Sequence, residues 1–121
     1  MLLANNKKIY FASDQHFGAP TPKSSFPREK KFVAWLDEIK VDAEALFLLG
    51  DLFDFWFEYK TVVPKGFVRV LGKLAEIRDS GIPIYFFVGN HDLWLHAYFE
   101  TELNIPVYHD NQEYTFGGKT F

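Results

Sequence analysis

The order of apolar and polar positions along the chain predicts strands that alternate with helices. Continuous apolar runs bounded by turn-forming residues are typical of strands covered on both faces of a sheet. They lie at Lys8–Ser13, Ala45–Leu49 and Ile82–Val88. Apolar residues that recur every three or four positions indicate amphipathic helices. These helices are expected at Pro27–Ile39, Phe67–Ile77 and Leu93–Leu103.

Residues that favour helix ends flank each amphipathic stretch. Ser25 is the expected cap of the first helix, with Pro27 in its first turn. The second helix is expected to end at Ser80-Gly81, and the third to begin after Asp92 and end at Asn104. Strands alternating with helices predict an α/β fold with a largely parallel sheet and flanking helices.

The last segment of the chain is expected to form a hairpin. Glu113–Phe116 has the pattern of a strand, Gly117-Gly118 is a strong turn signal, and a few residues remain for the returning strand. We therefore expect residues 1–121 to be the N-terminal portion of a single domain, truncated after this turn. The unpaired edge of such a fragment would allow self-association.

Composition narrows the possible functions. The chain has 121 residues, 48% of them hydrophobic, and its fourteen phenylalanines suggest aromatic area reserved for a ligand or partner. The net charge of −3, with 13 basic and 16 acidic residues, argues against a nucleic-acid partner. No cysteine is present, so Asp, His and Asn are the available metal ligands. No signal-peptide pattern or membrane-spanning apolar run is seen, which predicts a cytoplasmic protein, soluble or peripheral to a membrane.

Three short polar strings follow the three predicted strands. They are Asp14-Gln15-His16, Gly50-Asp51-Leu52-Phe53-Asp54 and Gly89-Asn90-His91-Asp92. In open α/β sheets, ligands bind outside the carboxyl ends of the strands, so the topology would bring these strings together.

Each string offers side chains suited to metal binding. Asp14 and His16 stand two positions apart and can share one cation, whereas the carboxylate of Asp51 has two oxygens able to bridge two cations. Asp54 suits a hydrogen bond from a ligating histidine, and Asn90 offers a neutral amide oxygen.

The third string also offers a proton donor. His91 could face a substrate as a general acid with Asp92 orienting it. Taken singly, each string also fits a structural role as a turn carboxylate, a cap or a left-handed turn. Their joint occurrence in this order favours a metal centre.

Together the strings resemble the calcineurin-like metallophosphoesterase family, whose pattern is D-x-H, then G-D-x-x-D, then G-N-H-D/E. The resemblance implies the N-terminal half of an α/β sandwich and a hydrolase with two divalent ions. It also implies a role for each residue: Asp14, His16 and Asp51 at one metal, Asp51 and Asn90 at the other, and His91 catalytic with Asp92 behind it.

The chain departs from the family pattern by omission. The later histidines of the family have no counterpart before Phe121, and neither His96 nor His109 matches them. We expect His96 on a helix surface and His109 in a polar loop. The fragment itself is therefore expected to be inactive, and the activity belongs to the full-length parent.

Within the family, Phe11–Gly18 and Gly50–Phe57 look like the UDP-2,3-diacylglucosamine hydrolases of lipid A biosynthesis. This resemblance implies cleavage of UDP-2,3-diacylglucosamine to UMP and lipid X, at the inner face of a Gram-negative inner membrane. It implies manganese as the metal, with iron, zinc or cobalt as alternatives. Two other hypotheses stay open: a metallophosphoesterase for another nucleotide or phosphoester, and a non-catalytic interaction scaffold.

The aromatic segment after the second string has two interpretations. Its large rings could contact acyl chains or lipid, or could be buried in the core. They are Phe53, Phe55, Trp56, Phe57 and Tyr59.

Overall fold

The computed structural model describes residues 7–54, 56, 66–89, 95, 97–109, 115–116 and 119–120. Within them, four strands form a parallel sheet in the order β1-β2-β3-β4. The strands are β1 (Lys8–Ala12), β2 (Ala43–Leu48), β3 (Ile84–Phe87) and β4 (Val107–Tyr108). The helices are α1 (Pro22–Ile39), α2 (Val68–Asp79) and α3 (Tyr98–Leu103). The predicted α/β fold with a largely parallel sheet is confirmed.

The main core lies where the helices cover one face of the sheet. Leu46 and Phe86 from the two central strands are fully buried there. Leu36 of α1 and Leu74 of α2 are equally buried against them. A second cluster of side chains on the strands centres on Phe47. Because the strands are parallel, all their carboxyl ends leave the sheet at one edge, where the three polar strings begin.

Helices α1 and α2 also meet through polar contacts. Lys40 and Lys73 lie between Asp37 and Glu76, with N···O distances of 2.8 to 3.1 Å. Hydrogen bonds from Lys40 and from Lys73 hold the pKa of Asp37 and that of Glu76 below their ordinary values. This network ties the surface of one helix to the other.

A buried carboxylate of α1 serves the beginning of α2. Glu29 is 4% exposed, and its Oε2 accepts a hydrogen bond of 3.2 Å from the backbone N–H of Val70. Phe67, at the N-cap of α2, provides no side-chain hydrogen bond to the helix. Glu29 therefore supplies from a neighbouring helix the acceptor that a capping residue usually gives.

The predicted start of the first helix is wrong. Helix α1 begins at Pro22, with Thr21 as its N-cap, and Thr21 and Ser24 form reciprocal hydrogen bonds between side chain and backbone. Pro27 lies inside the helix rather than in its first turn. Ser25 is not the cap: it is 1% exposed, and its hydroxyl accepts the Gly18 N–H at 2.9 Å.

The third helix also differs from its prediction. It begins at Tyr98 with Ala97 at the N-cap, and Leu95, expected within it, is buried outside any helix. Asp92, the expected cap, lies outside the described residues. The end of this helix is confirmed at Asn104, which adopts the left-handed conformation with φ 53°.

The remaining strands among the described residues have two residues each. Strand β4 was not predicted, because two residues are too few to show a period. Residues 115–116 (β5) and 119–120 (β6) pair antiparallel, as the expected hairpin requires, while Gly117-Gly118 lies outside the described residues. Among the helices that the structure describes, none has the length and apolar character needed to cross a membrane.

Candidate metal centre

The loops that follow β1 and β2 continue the pairing of those strands. Three backbone N–H groups of the first loop donate to carbonyl oxygens of the second, from Asp14 to Gly50, from His16 to Asp51 and from Phe17 to Leu52, at 3.1, 2.9 and 2.9 Å. Phe17 and Phe53 form a parallel bridge at the far end, and both are fully buried. The first two polar strings are therefore held side by side at the carboxyl edge of the sheet.

Three of the candidate ligands have an unusual backbone conformation. Asp14, His16 and Asp51 have φ values of 59°, 50° and 52°, in the left-handed region. This region costs a non-glycine residue about 1 kcal/mol or more, and such costs concentrate at functional sites. The hydrogen bonds between the two loops offset that cost.

The side chains of these residues converge around His16. Its Nε2 lies 3.9 Å from Asp14 Oδ1 and 3.9 Å from Asp51 Oδ2. Ligand atoms of all three residues lie within 4.8 Å of one another. Two ligands that each bind one ion at about 2.1 Å can be at most about 4.2 Å apart. The two histidine distances fit that limit, so the imidazole of His16 can share a divalent cation with either carboxylate.

Asp54 lies on the other side of the same imidazole. Its Oδ1 is 3.5 Å from His16 Nδ1, and its backbone N–H donates to Phe17 O at 2.9 Å. A carboxylate at this position favours the tautomer with the proton on Nδ1, which puts the lone pair on Nε2, the atom 3.9 Å from an oxygen of Asp14 and from an oxygen of Asp51.

The second and third strings meet through two glycines. A Cβ on Gly50 would lie 3.0 Å from the backbone of Gly89, and a Cβ on Gly89 would lie 2.2 Å from Asp51 Oδ1. The Asp51 carboxylate therefore rests directly on the backbone at the end of β3. Neither close approach is visible in the sequence, although a glycine at each strand end is the signal that could have suggested it.

The remaining predicted site residues are not all among those that the structure describes. Asn90, His91 and Asp92 lie outside the described residues, and so does His96. His109 is exposed, at a bend after β4. The structure thus brings together Asp14, His16, Asp51 and Asp54 from the first two strings.

Two rings of the aromatic segment belong to the core. Phe53 and Trp56 are fully buried, with ring centroids 4.5 Å apart, and both pack edge-on against Phe99. Core packing is confirmed for these two, and lipid contact is wrong for them. Phe55, Phe57 and Tyr59 lie outside the described residues.

A parallel α/β sheet with carboxylate and imidazole groups at its carboxyl edge fits the class of metal-dependent phosphoesterases. The family model of the calcineurin-like phosphoesterases matches residues 7–120, and the chain belongs to that family. The resemblance inferred from the three strings is therefore confirmed. The family implies divalent metal ions, and Asp14, His16 and Asp51 form a possible site for one.

Individual relatives carry a more specific name. The chain is 46% identical over 114 residues to a UDP-2,3-diacylglucosamine hydrolase of Porphyromonas gingivalis, covering 94% of this chain and 44% of that protein. It is 36% identical over 100 residues to one of Vibrio vulnificus, covering 83% and 39%. The chain thus spans less than half the length of these relatives.

A solved structure is similar to part of the fold. The nuclease MPE of Pseudomonas putida matches with a TM-score of 0.46 and 20% identity, over 81% of this chain and 46% of that one.

Proposed function

We propose that the full-length protein is a two-metal hydrolase of phosphoester or pyrophosphate bonds, and that its substrate is UDP-2,3-diacylglucosamine. The products would be UMP and lipid X. The observation that carries the proposal is the convergence of Asp14, His16 and Asp51 at one edge of the sheet. The names of the relatives in Porphyromonas gingivalis and Vibrio vulnificus support the choice of substrate.

The proposed metal ligands come from all three strings. Asp14, His16 and Asp51 hold one ion, and Asp51 with Asn90 holds the second. We propose manganese, the metal that the resemblance to the UDP-2,3-diacylglucosamine hydrolases implies, and carboxylate and amide oxygens are donors that suit it. When bound, the ions supply Lewis acidity and neutralise charge on the phosphoryl oxygens. The contact of Asp51 with Gly89, the residue before Asn90, supports a ligand set that joins the second and third strings.

The other polar residues have roles in orientation and proton transfer. His91 donates a proton to the leaving oxygen, and Asp92 orients its imidazole. Asp54 keeps the proton of His16 on Nδ1, as the 3.5 Å separation supports.

The setting of the activity is part of the proposal. Residues 1–121 form the N-terminal portion of one metallophosphoesterase domain, as the coverage of 94% of this chain but 44% of its relative supports. The resemblance to the UDP-2,3-diacylglucosamine hydrolases supports a cytoplasmic protein that works peripherally at the inner face of the inner membrane.

Product analysis tests the substrate directly. The full-length protein with Mn²⁺ is expected to release UMP from UDP-2,3-diacylglucosamine. Bis(p-nitrophenyl) phosphate serves as a water-soluble phosphodiester for comparison. Good turnover of that ester without UMP release would reject the lipid substrate and favour another phosphoester. A lack of turnover with either compound would reject the hydrolase itself and favour the interaction scaffold.

Two substitutions separate metal binding from proton transfer. Asp51→Ala is expected to lose both ions, because its carboxylate serves each of them. His91→Ala is expected to keep both ions and to lower turnover by roughly 10²- to 10⁴-fold. Metal analysis after gel filtration measures the difference, with the exposed Asp79→Ala as a matched carboxylate control. Equal loss of metal in Asp51→Ala and His91→Ala would show that the assigned roles are wrong.

A further inference from the structure

A side chain of α1 contacts the backbone of the loop that carries Asp14 and His16. The guanidinium of Arg28 donates to the carbonyl oxygens of Gln15, at 2.5 Å, and of His16, at 3.4 Å. It also donates to the carbonyl oxygen of Ala19. Arg28, which lies outside the three polar strings, therefore contacts two carbonyl groups of the first string and one of the turn after that string.

The loop is a segment whose conformation needs such support. Asp14 and His16 both adopt the left-handed region, and no regular element lies between β1 and α1. Loop residues in these conformations persist only when surrounding contacts determine them. The planar guanidinium has five N–H donors in fixed directions, so it can hold several carbonyl oxygens in one arrangement.

A second contact from the same helix fixes the far end of the loop. The Ser25 hydroxyl, 1% exposed, accepts the N–H of Gly18 at 2.9 Å. Gly18 itself has φ 104°, a conformation that glycine adopts without strain. Ser25 and Arg28 lie three positions apart on α1 and therefore on one side of the helix. Helix α1 thus contacts the loop on both sides of Phe17, which is fully buried.

We propose that Arg28 is a positioning residue that holds the loop in the geometry required for metal binding by Asp14 and His16. The inference rests on the proposed function only in that these two residues bind a divalent ion. Arg28 acts through the loop backbone, because its hydrogen bonds go to carbonyl oxygens and not to the side chains of the ligands.

The direction of the change in metal affinity distinguishes a positioning role of Arg28 from an effect of its charge. A guanidinium beside a cation site repels the cation, so removal of its charge alone would tighten metal binding. Loss of a positioning contact would weaken it. Lys31 provides the matched control, since it is exposed, lies three positions along α1 and lines the same cavity of about 480 Å³ as Arg28. Its substitution removes an equal charge from the same helix without touching the loop carbonyl groups held by Arg28.

Binding of Mn²⁺ to the full-length protein tests the proposal. Isothermal titration and the electron paramagnetic resonance signal of free Mn²⁺ measure affinity without any turnover. Arg28→Ala is expected to weaken Mn²⁺ binding by roughly 10- to 100-fold, as for other residues that support metal ligands. Lys31→Ala is expected to stay within about twofold of the wild type or to bind more tightly. Saturating Mn²⁺ is expected to restore most of the turnover of Arg28→Ala.

Arg28→Lys keeps the charge but not the fork of donors, and it is expected to bind Mn²⁺ with intermediate affinity. It decides the question if Arg28→Ala fails to fold. Wild-type affinity in Arg28→Lys, or in a folded Arg28→Ala, would overturn the proposal. Weaker binding in both Arg28→Ala and Lys31→Ala to the same degree would also overturn it. If the variants rank in Mn²⁺ affinity as expected but the wild type does not cleave the lipid substrate, the proposed function is rejected and the role of Arg28 is not.

Discussion

Replacing Gly89 by alanine tests the contact that positions the Asp51 carboxylate. The new Cβ would lie 2.2 Å from Oδ1, 2.7 Å from Cγ and 2.7 Å from the backbone nitrogen of Asp51. Non-bonded heavy atoms are comfortable at about 3.5 Å, so the carboxylate has to move by roughly 1 Å. Rotation of the Asp51 side chain cannot relieve the third contact, because that atom belongs to the backbone.

The expected magnitude follows from these distances. Overpacking of this kind costs about 1–3 kcal/mol of stability. A functional group is useful only within about 0.5 Å of its productive position, so a shift of about 1 Å should weaken Mn²⁺ binding by 10-fold or more. Gly89 does not adopt the left-handed conformation, so the clash rather than backbone strain determines the result.

Urea denaturation of the metal-free full-length protein and titration with Mn²⁺ measure the two effects of Gly89→Ala. Gly72→Ala is the matched control. Gly72 lies within α2, and a Cβ there would meet no atom within 4 Å. That variant should gain roughly 1 kcal/mol, since alanine favours helix more than glycine does. Unchanged stability and unchanged Mn²⁺ affinity in Gly89→Ala would refute the placement of Asp51 against the end of β3.

Two further predictions concern the contact between α1 and α2. Glu29→Ala is expected to lower the free energy of unfolding by about 1 kcal/mol or more, because the Val70 N–H at the start of α2 loses its acceptor. Glu29→Gln keeps an acceptor oxygen and should lower the free energy of unfolding by less. Urea denaturation measures both variants, and equal losses of stability would argue against the hydrogen bond. Because the pKa values of Asp37 and Glu76 are lowered in the folded protein, their ionised carboxylates stabilise the fold at pH values above the ordinary pKa values of 3.8 and 4.5. This contribution is lost as the pH falls below those ordinary values and through the lowered ones. Asp37→Asn should therefore flatten the decline of melting temperature between about pH 5 and pH 3, and a slope identical to that of the wild type would contradict the network.

The hydrophobic pattern was enough to find the three main strands, because each is a buried run that ends in polar residues. It misplaced the start of α1, although Thr21 followed by Pro22 is itself a readable start signal. The prediction placed Pro27 in the first turn, since a proline is uncommon inside a helix. Strand β4 depends on pairing with β3, and such pairing has no local pattern in two residues.

The candidate site was predictable in its residue types and in its edge of the sheet. The positions of Asp14, His16 and Asp51 after the strands, together with parallel topology, were sufficient for that inference. The left-handed conformation of His16 was not predictable, since only a small fraction of non-glycine residues adopt it and no local pattern marks which ones. The contacts of Arg28 were also not predictable from the sequence. They join α1 to the loop after β1 through tertiary structure, and no residue spacing in the sequence indicates them. The roles of Asn90, His91 and Asp92 stay predictions.

The backbone cost at the candidate ligands and the burial of the neighbouring phenylalanines belong to one arrangement. Phe17 and Phe53 bridge the two loops where the polar residues end, and both side chains are fully buried. Burial of the two phenylalanines contributes about 3–6 kcal/mol, which is similar to the cost of about 3–6 kcal/mol for three left-handed residues. The core can therefore hold Asp14, His16 and Asp51 in this arrangement before any ion binds. When the geometry of a metal site is formed before the ion binds, less conformational entropy is lost on binding. Stiffness of these two loops therefore favours metal binding.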